Sequence, residues 1–186
     1  TLVLGHGAGG GIEAGDLQVV AQAVAEAGFG VVLVEQPWRV AGKRVAPAPA
    51  TLDVAWMEVV SGLRIPGALI VGGRSAGARV ACRTADRLGA AGVVCLAFPL
   101  HPPGRPERSR AAELTSVACP VLVVQGTRDP FGPAEEVDAA APGLTVHPAE
   151  GADHALRLGG DHEATRLARE GAAARIVAFL EATRPS

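Results

Sequence analysis

Residues 68–88 read ALIVGGRSAGARVACRTADRL, and the class of the fold follows from them. Ala68–Gly72 is a short apolar strand. Ala76–Leu88 has helical spacing, and Gly89 closes it. Between the two stands Gly73-Arg74-Ser75-Ala76-Gly77, a GxSxG turn. A serine oxygen is a weak nucleophile unless it is exposed beside a base. A sharp strand-to-helix turn exposes it, and the flanking glycines tolerate the tight backbone. The helix start also offers aligned N–H groups to a developing negative charge. The bland alternative is a glycine turn with a capping serine. Composition alone gives GxSxG in roughly 8% of shuffled chains, so its place between strand and helix carries the weight.

The same alternation continues on both sides. Thr1–Leu4 is an apolar strand, and Asp16–Ala27 is helical, with Leu17, Val20, Ala21 and Val24 on one face. Val31–Glu35 is a strand. Residues 37–49 form a loop holding Trp38, Arg39, Lys43 and Arg44. Thr51–Leu63 is helical, with Trp56 as a core residue. Downstream come strand Gly92–Leu96, a Pro-rich loop over 99–106, a short helix near Glu107–Leu114 and strand Pro120–Gln125. Helix Pro133–Ala141, strand Leu144–His147 and a long helix Glu163–Thr183 complete the series. The strands are apolar throughout, as strands covered on both faces are. The expected fold class is α/β, with three layers: a mostly parallel central sheet and helices on both faces. The chain, 1–186, reads as one domain.

In such sheets ligands sit beyond the carboxyl ends of the strands. Three more candidates fall there. Asp129, just past strand Pro120–Gln125, can orient a histidine and stabilise its imidazolium; the plain alternative is an Asp-Pro turn. His154 lies in the loop before the last helix and suits a general base that later acts as an acid; alone it reads as a surface histidine. Gly5-His6-Gly7-Ala8-Gly9-Gly10-Gly11 follows the first strand and brings backbone N–H groups near a ligand. Taken together, Ser75, Asp129 and His154 occur in the chain order of a hydrolase triad. The N–H of Ala76 and one from this glycine loop are the matching pair of oxyanion donors.

The motifs GHGAGG at 5–10, GRSAG at 73–77, QGTRDPFG at 125–132 and GADHAL at 151–156 resemble the α/β-hydrolase family along nearly the whole chain. The likeness is closest to its lidless, dienelactone-hydrolase-like branch. GTRDPFG and the PLHPPG run at 99–104 look like the group with a testis-expressed protein and a histone acetyltransferase complex subunit. The resemblance implies Ser75 as nucleophile, His154 as base, Asp129 as acid and the Ala8 and Ala76 N–H groups as oxyanion donors, with no cofactor and no metal. The antiparallel strands that the family places before its first glycine loop have no counterpart here, and the stretch 97–119 is too short for a helical lid. The group's members also raise the expectation of a protein partner.

Composition narrows the rest. The formal net charge is -2 and the pI about 6.2, and the basic residues form no run, which argues against nucleic acid as a partner. No apolar stretch is long enough to cross a membrane. Cys82, Cys95 and Cys119 are widely spaced in apolar surroundings, which fits free thiols in a reducing compartment, hence the cytoplasm. His6, Gly7, Arg74, Trp38 and His101 are candidate pocket-lining residues; Arg74 is either a carboxylate anchor or a solvated neighbour of the turn, the latter being preferred. Two other readings stay open. Gly5, Gly7 and Gly10 satisfy GxGxxG, with Glu35 as a ribose ligand, so dinucleotide binding is one. An idle triad on a binding or scaffold module is the other. The cluster Asp153, His154, Asp161, His162 matches no metal spacing, and Asp161–His162 ranks below His154 as the triad base. The expected substrate is a small carboxylic ester or thioester.

Overall fold

The computed structural model describes residues 1–43 and 45–184. Arg44, assigned above to the loop over 37–49, lies outside them, as do Pro185 and Ser186. Strands β1 (Leu2–Gly5), β2 (Val31–Val34), β3 (Ile70–Arg74), β4 (Gly92–Leu96), β5 (Val121–Gly126) and β6 (Thr145–Ala149) form one sheet in the order β2-β1-β3-β4-β5-β6. Every neighbouring pair is parallel. The strand order reverses around β1, which leaves the carboxyl ends of β1 and β3 side by side. This is where an open parallel sheet places its ligand site.

The helices are α1 (Gly15–Glu26), α2 (Pro37–Val40), α3 (Pro49–Gly62), α4 (Ala76–Thr84), α5 (Ala111–Thr115), α6 (Ala134–Ala140) and α7 (His162–Ala182). They cover both faces of the sheet. On one side α1 and α7 bury Leu17, Val20, Val24, Ile176 and Leu180 against Leu4, Val94, Leu96 and Val124. On the other, Trp56, Val60, Val80 and Val137 pack on Val3, Val71, Cys95 and Val123. Adjacent residues of one strand thus feed opposite cores, as the two-residue period of a strand requires. Arg79 forks onto Glu113 at 2.8 and 2.6 Å, and Arg83 joins Asp53 at 2.6 Å. Those pairs tie α4 to α5 and α3.

The expected architecture matches, and the boundaries differ for local reasons. β3 runs on through Gly73 and Arg74 because both pair with β4, opposite Cys95 and Leu96. A four-residue helix, α2, occupies the start of the loop expected over 37–49, with Pro37 in its first turn; proline is preset for that position. Helix α4 stops at Thr84 and gives way to a 3-10 turn, Asp86–Leu88, closed by Gly89 at φ 62°. The helix expected near Glu107–Leu114 is instead a 3-10 turn, Pro106–Arg108, followed by α5. β6 extends to Ala149 through Pro148, which an edge strand accommodates. The connection from β4 to β5 holds only α5 and that turn, so no lid domain covers the site. No helix among the described residues is long and apolar enough to cross a membrane.

Candidate active site

β3 and α4 meet at a single residue. Ser75 takes φ 53°, ψ -111°, a region unfavourable for a side chain and typical of strained functional turns. Two glycines make the turn possible. A Cβ at Gly73 would stand 2.5 Å from the carbonyl oxygen of Gly5, and one at Gly77 would collide with that same oxygen. β1 therefore abuts the turn directly. The Ser75 N–H is fixed by the Leu96 carbonyl at 3.0 Å, which leaves the hydroxyl pointing past the strand ends.

His154 reaches that hydroxyl from the loop after β6. Its Nε2 lies 2.9 Å from Ser75 Oγ, and its Nδ1 lies 2.7 Å from Asp129 Oδ2. A carboxylate can only accept, so Nδ1 carries the proton and donates it. In the neutral ring Nε2 is then the acceptor for the serine hydroxyl. Asp129 is 2% exposed and its charge is matched by donors: the Phe131 N–H reaches Oδ1 at 2.8 Å, and Gln125 Nε2 reaches Oδ2 at 2.9 Å. Phe131 also lies over the imidazole, with ring centroids 4.2 Å apart.

The histidine loop has its own supports. Asp153 Oδ1 accepts the N–H groups of Ala155 at 2.7 Å and Arg157 at 3.0 Å. Burial acts to raise the Asp153 carboxyl, but those amides and the Arg157 guanidinium outweigh it and hold it below its ordinary value. Gly126, at the end of β5, lets this loop press in, since a Cβ there would collide with the Ala152 carbonyl. The glycine loop after β1 passes on the other side of Ser75. A Cβ at Gly7 would stand 3.3 Å from Ser75 Cβ. Among the described residues, the amides of Ala8 and Ala76 donate to no protein acceptor.

The candidate pocket residues divide. Trp38, with Ala8, Gly9, Arg39, Gly42 and Lys43, lines a cleft of about 380 Å³ beside the glycine loop. Gly7 backs the serine. His6 does not line the site: it is 1% exposed, its Nε2 accepts the Gln36 N–H at 2.9 Å, and its Nδ1–H therefore donates to the Gly7 carbonyl at 2.8 Å. It is a post under the glycine loop. His101 is likewise set back, 6% exposed behind Phe131, whose carbonyl takes its N–H at 3.0 Å. Arg74 is not a solvated neighbour of the turn, its side chain being 15% exposed. Its Nε donates to Asp16 Oδ2 at 2.7 Å and its Nη2 to the His154 carbonyl at 3.1 Å. Asp161 and His162 are also elsewhere, since Asp161 caps α7 by accepting the Ala164 N–H at 2.9 Å.

The dinucleotide pattern lacks its supporting geometry. The third glycine of that fingerprint opens a helix, whereas α1 begins at Gly15, beyond a turn. Glu35 is engaged by Arg39, its Oε1 2.9 Å from Nε. Sequence reading passed over Gln125, Phe131 and Asp16. The one available signal was a glutamine closing the apolar run of β5, a polar group that must be satisfied once buried.

Comparison with known proteins gives a consistent result. A family model described as an alpha/beta hydrolase domain matches residues 1–181. Among solved structures, the chain is similar to a thermophilic esterase from Thermogutta terrifontis, with TM-score 0.73 and 16% identity over 99% of this chain and 90% of that one. It is similar to an alpha-beta serine hydrolase homologue from Coxiella burnetii, with TM-score 0.67 and 22% identity over 94% and 84% of the two chains. Est1E from Butyrivibrio proteoclasticus gives TM-score 0.70 and 14% identity over 97% and 88%. No curated protein matches the chain by sequence. At these identities the structural likeness is one of fold.

Proposed function

The chain belongs to the alpha/beta hydrolase domain family, and from that premise we propose that it is a serine hydrolase cleaving a small carboxylic ester or thioester. One observation carries the reading: Ser75 Oγ, the His154 ring and Asp129 Oδ2 are joined by contacts of 2.9 and 2.7 Å.

Ser75 Oγ attacks the acyl carbon while His154 Nε2 takes its proton. Asp129 holds the imidazole in the tautomer that leaves Nε2 free and stabilises the imidazolium. The carbonyl oxygen becomes an oxyanion, held by the N–H groups of Ala8 and Ala76. His154 returns the proton to the departing alcohol or thiol, and an acyl-enzyme remains. Water, deprotonated by His154, attacks the acyl carbon; the C–O bond to Ser75 then breaks as His154 returns the proton to Ser75 Oγ, and the acid is released. The residues need no metal or organic cofactor for these steps. The open site, without a lid, favours small acyl groups over long chains, and the cleft at Trp38 is the natural seat for one end of the substrate. The lidless, dienelactone-hydrolase-like branch is the subgroup whose motifs fit best. The expected compartment is the cytoplasm, on the argument of its three unpaired thiols.

The test is hydrolysis of p-nitrophenyl acetate and of an acetyl thioester by the purified protein. The wild type turns over at least one of them, and Ser75→Ala reduces turnover to the rate of buffer. Equal rates for the two proteins would reject the reading. An idle scaffold would give no turnover with either.

A further inference from the structure

The GxSxG turn carries an arginine that the reaction scheme leaves without a task. Arg74 ends β3, one residue before Ser75. Its guanidinium forks in two directions, to Asp16 Oδ2 at 2.7 Å and to the His154 carbonyl at 3.1 Å. A Cβ at Gly7 would stand only 2.9 Å from its Nη1, so the glycine loop closes over it. Asp16, in the first turn of α1, is 3% exposed, and its other oxygen accepts the Leu17 N–H at 2.9 Å. One side chain thus joins the serine turn, the glycine loop and the histidine loop.

The histidine loop needs such a tie. It has no regular structure, and Leu156, two residues on, takes φ 51°. Its backbone is held by side chains from outside it: Arg74 on the His154 carbonyl, and Arg169 of α7 on the Ala155 carbonyl at 3.1 Å. Arg74 is the tether that acts on the histidine's own peptide, and it starts from the residue next to the nucleophile. The side chain is only 15% exposed, and its Nε and Nη2 are engaged by Asp16 and the His154 carbonyl. Asp16 matches its charge, and the carboxylate fixes the fork in place.

Resting on the Ser75–His154–Asp129 reading, we propose that Arg74, locked by Asp16, is a positioning residue that sets His154 against Ser75. A lysine at 74 keeps the charge for Asp16, but one ammonium lacks the rigid fork that spans both acceptors. Displacing a catalytic group by about 1 Å costs on the order of 10²-fold in rate.

The experiment compares wild type with Arg74→Lys and with Asp16→Asn/Arg74→Gln, which removes both buried charges together and so guards against misfolding. Circular dichroism confirms that each variant is folded. Proton NMR follows solvent exchange of the His154 Nδ1–H, assigned by its loss in His154→Gln, and a fluorophosphonate probe gives the labelling rate of Ser75. Both folded variants should exchange that proton faster than wild type and label on the order of 10²-fold more slowly. Wild-type exchange in the folded variants would overturn the proposal. Because the proton reports geometry and the label reports reactivity, an unreactive wild type would sink the hydrolase reading while the exchange data still decide the role of Arg74.

Discussion

Asp129 gathers the His154 Nδ1–H, the Phe131 N–H and the Gln125 amide around one buried carboxylate. Its charge, more than its shape, sets the histidine tautomer. Asp129→Asn keeps the volume but invites the wrong tautomer, and should lower kcat about 10⁴-fold with an unchanged circular dichroism spectrum. Gln125→Leu tests the support more gently: it removes a donor to the carboxylate and should lower both Tm and kcat. His101 supplies a pH dependence. The Pro102 carbonyl on Nδ1, then Glu136 on Nε2, raise its pKa against the cost of burial. A raised pKa means that the charged ring stabilises the fold fully below its unfolded value, about 6.5. That contribution is lost as pH rises through the folded value. The difference in Tm between wild type and His101→Gln should therefore shrink as pH rises from about 6 to about 8; a constant difference would contradict it. At this scale Ser75, Asp129 and His154 were legible only as a set, through their chain order and their places past three strands, since alone Asp129 reads as a turn and His154 as a surface histidine; the structure brings the three side chains into contact. The duties of Arg74 and His6 were not legible. Their partners, Asp16, His154 and Gln36, lie far along the chain, and no local pattern carries a pairing of that kind.

The elements around the site meet backbone to backbone. β1 and α4 approach so closely that Gly77 has no room for a methyl group against the Gly5 carbonyl. Gly77→Ala must push α4 off the sheet, and a displaced helix start carries Ser75 and the Ala76 N–H with it. The variant should lose activity and melt at a lower temperature, whereas Gly171→Ala, where a Cβ meets nothing within 4 Å, should leave both intact. Asp161 caps α7 through the Ala164 N–H; Asp161→Ala should cost about 1 kcal/mol in thermal or urea unfolding without touching activity. The helices and strands were readable from their apolar spacing, and the errors sit at their ends. The carboxyl end of β3 is set by β4 beside it, and α2 is shorter than the window in which helical spacing can be seen.

Across the whole molecule the site is a seam between two cores. The face carrying Trp56 and Phe98 and the face carrying Leu17 and Ile176 share the central strands, and Ser75, Asp129 and His154 stand where the chain leaves those strands. Sequence pattern revealed the three layers because buried parallel strands are apolar on both faces. It could not reveal how the loops fold back on one another, which depends on contacts between distant segments. The same burial governs the thiols. Cys82 and Cys95 are 4% and 0% exposed with their sulfurs 3.5 Å apart, and the hydrogen bond between them, with burial, pushes the Cys95 thiol well up. A maleimide should modify Cys119 in the native protein and reach the other two only after unfolding; rapid native modification of Cys95 would contradict the packing. The proposed chemistry rests on activation of Ser75 by His154 and Asp129. Fluorophosphonate labelling of the purified protein, read by mass spectrometry of the modified peptide, tests it most directly. Rapid, single modification at Ser75 is expected, disappearing in Ser75→Ala and slowing severely in His154→Gln. A folded wild type that stays unmodified, or that labels as fast without His154, would contradict it.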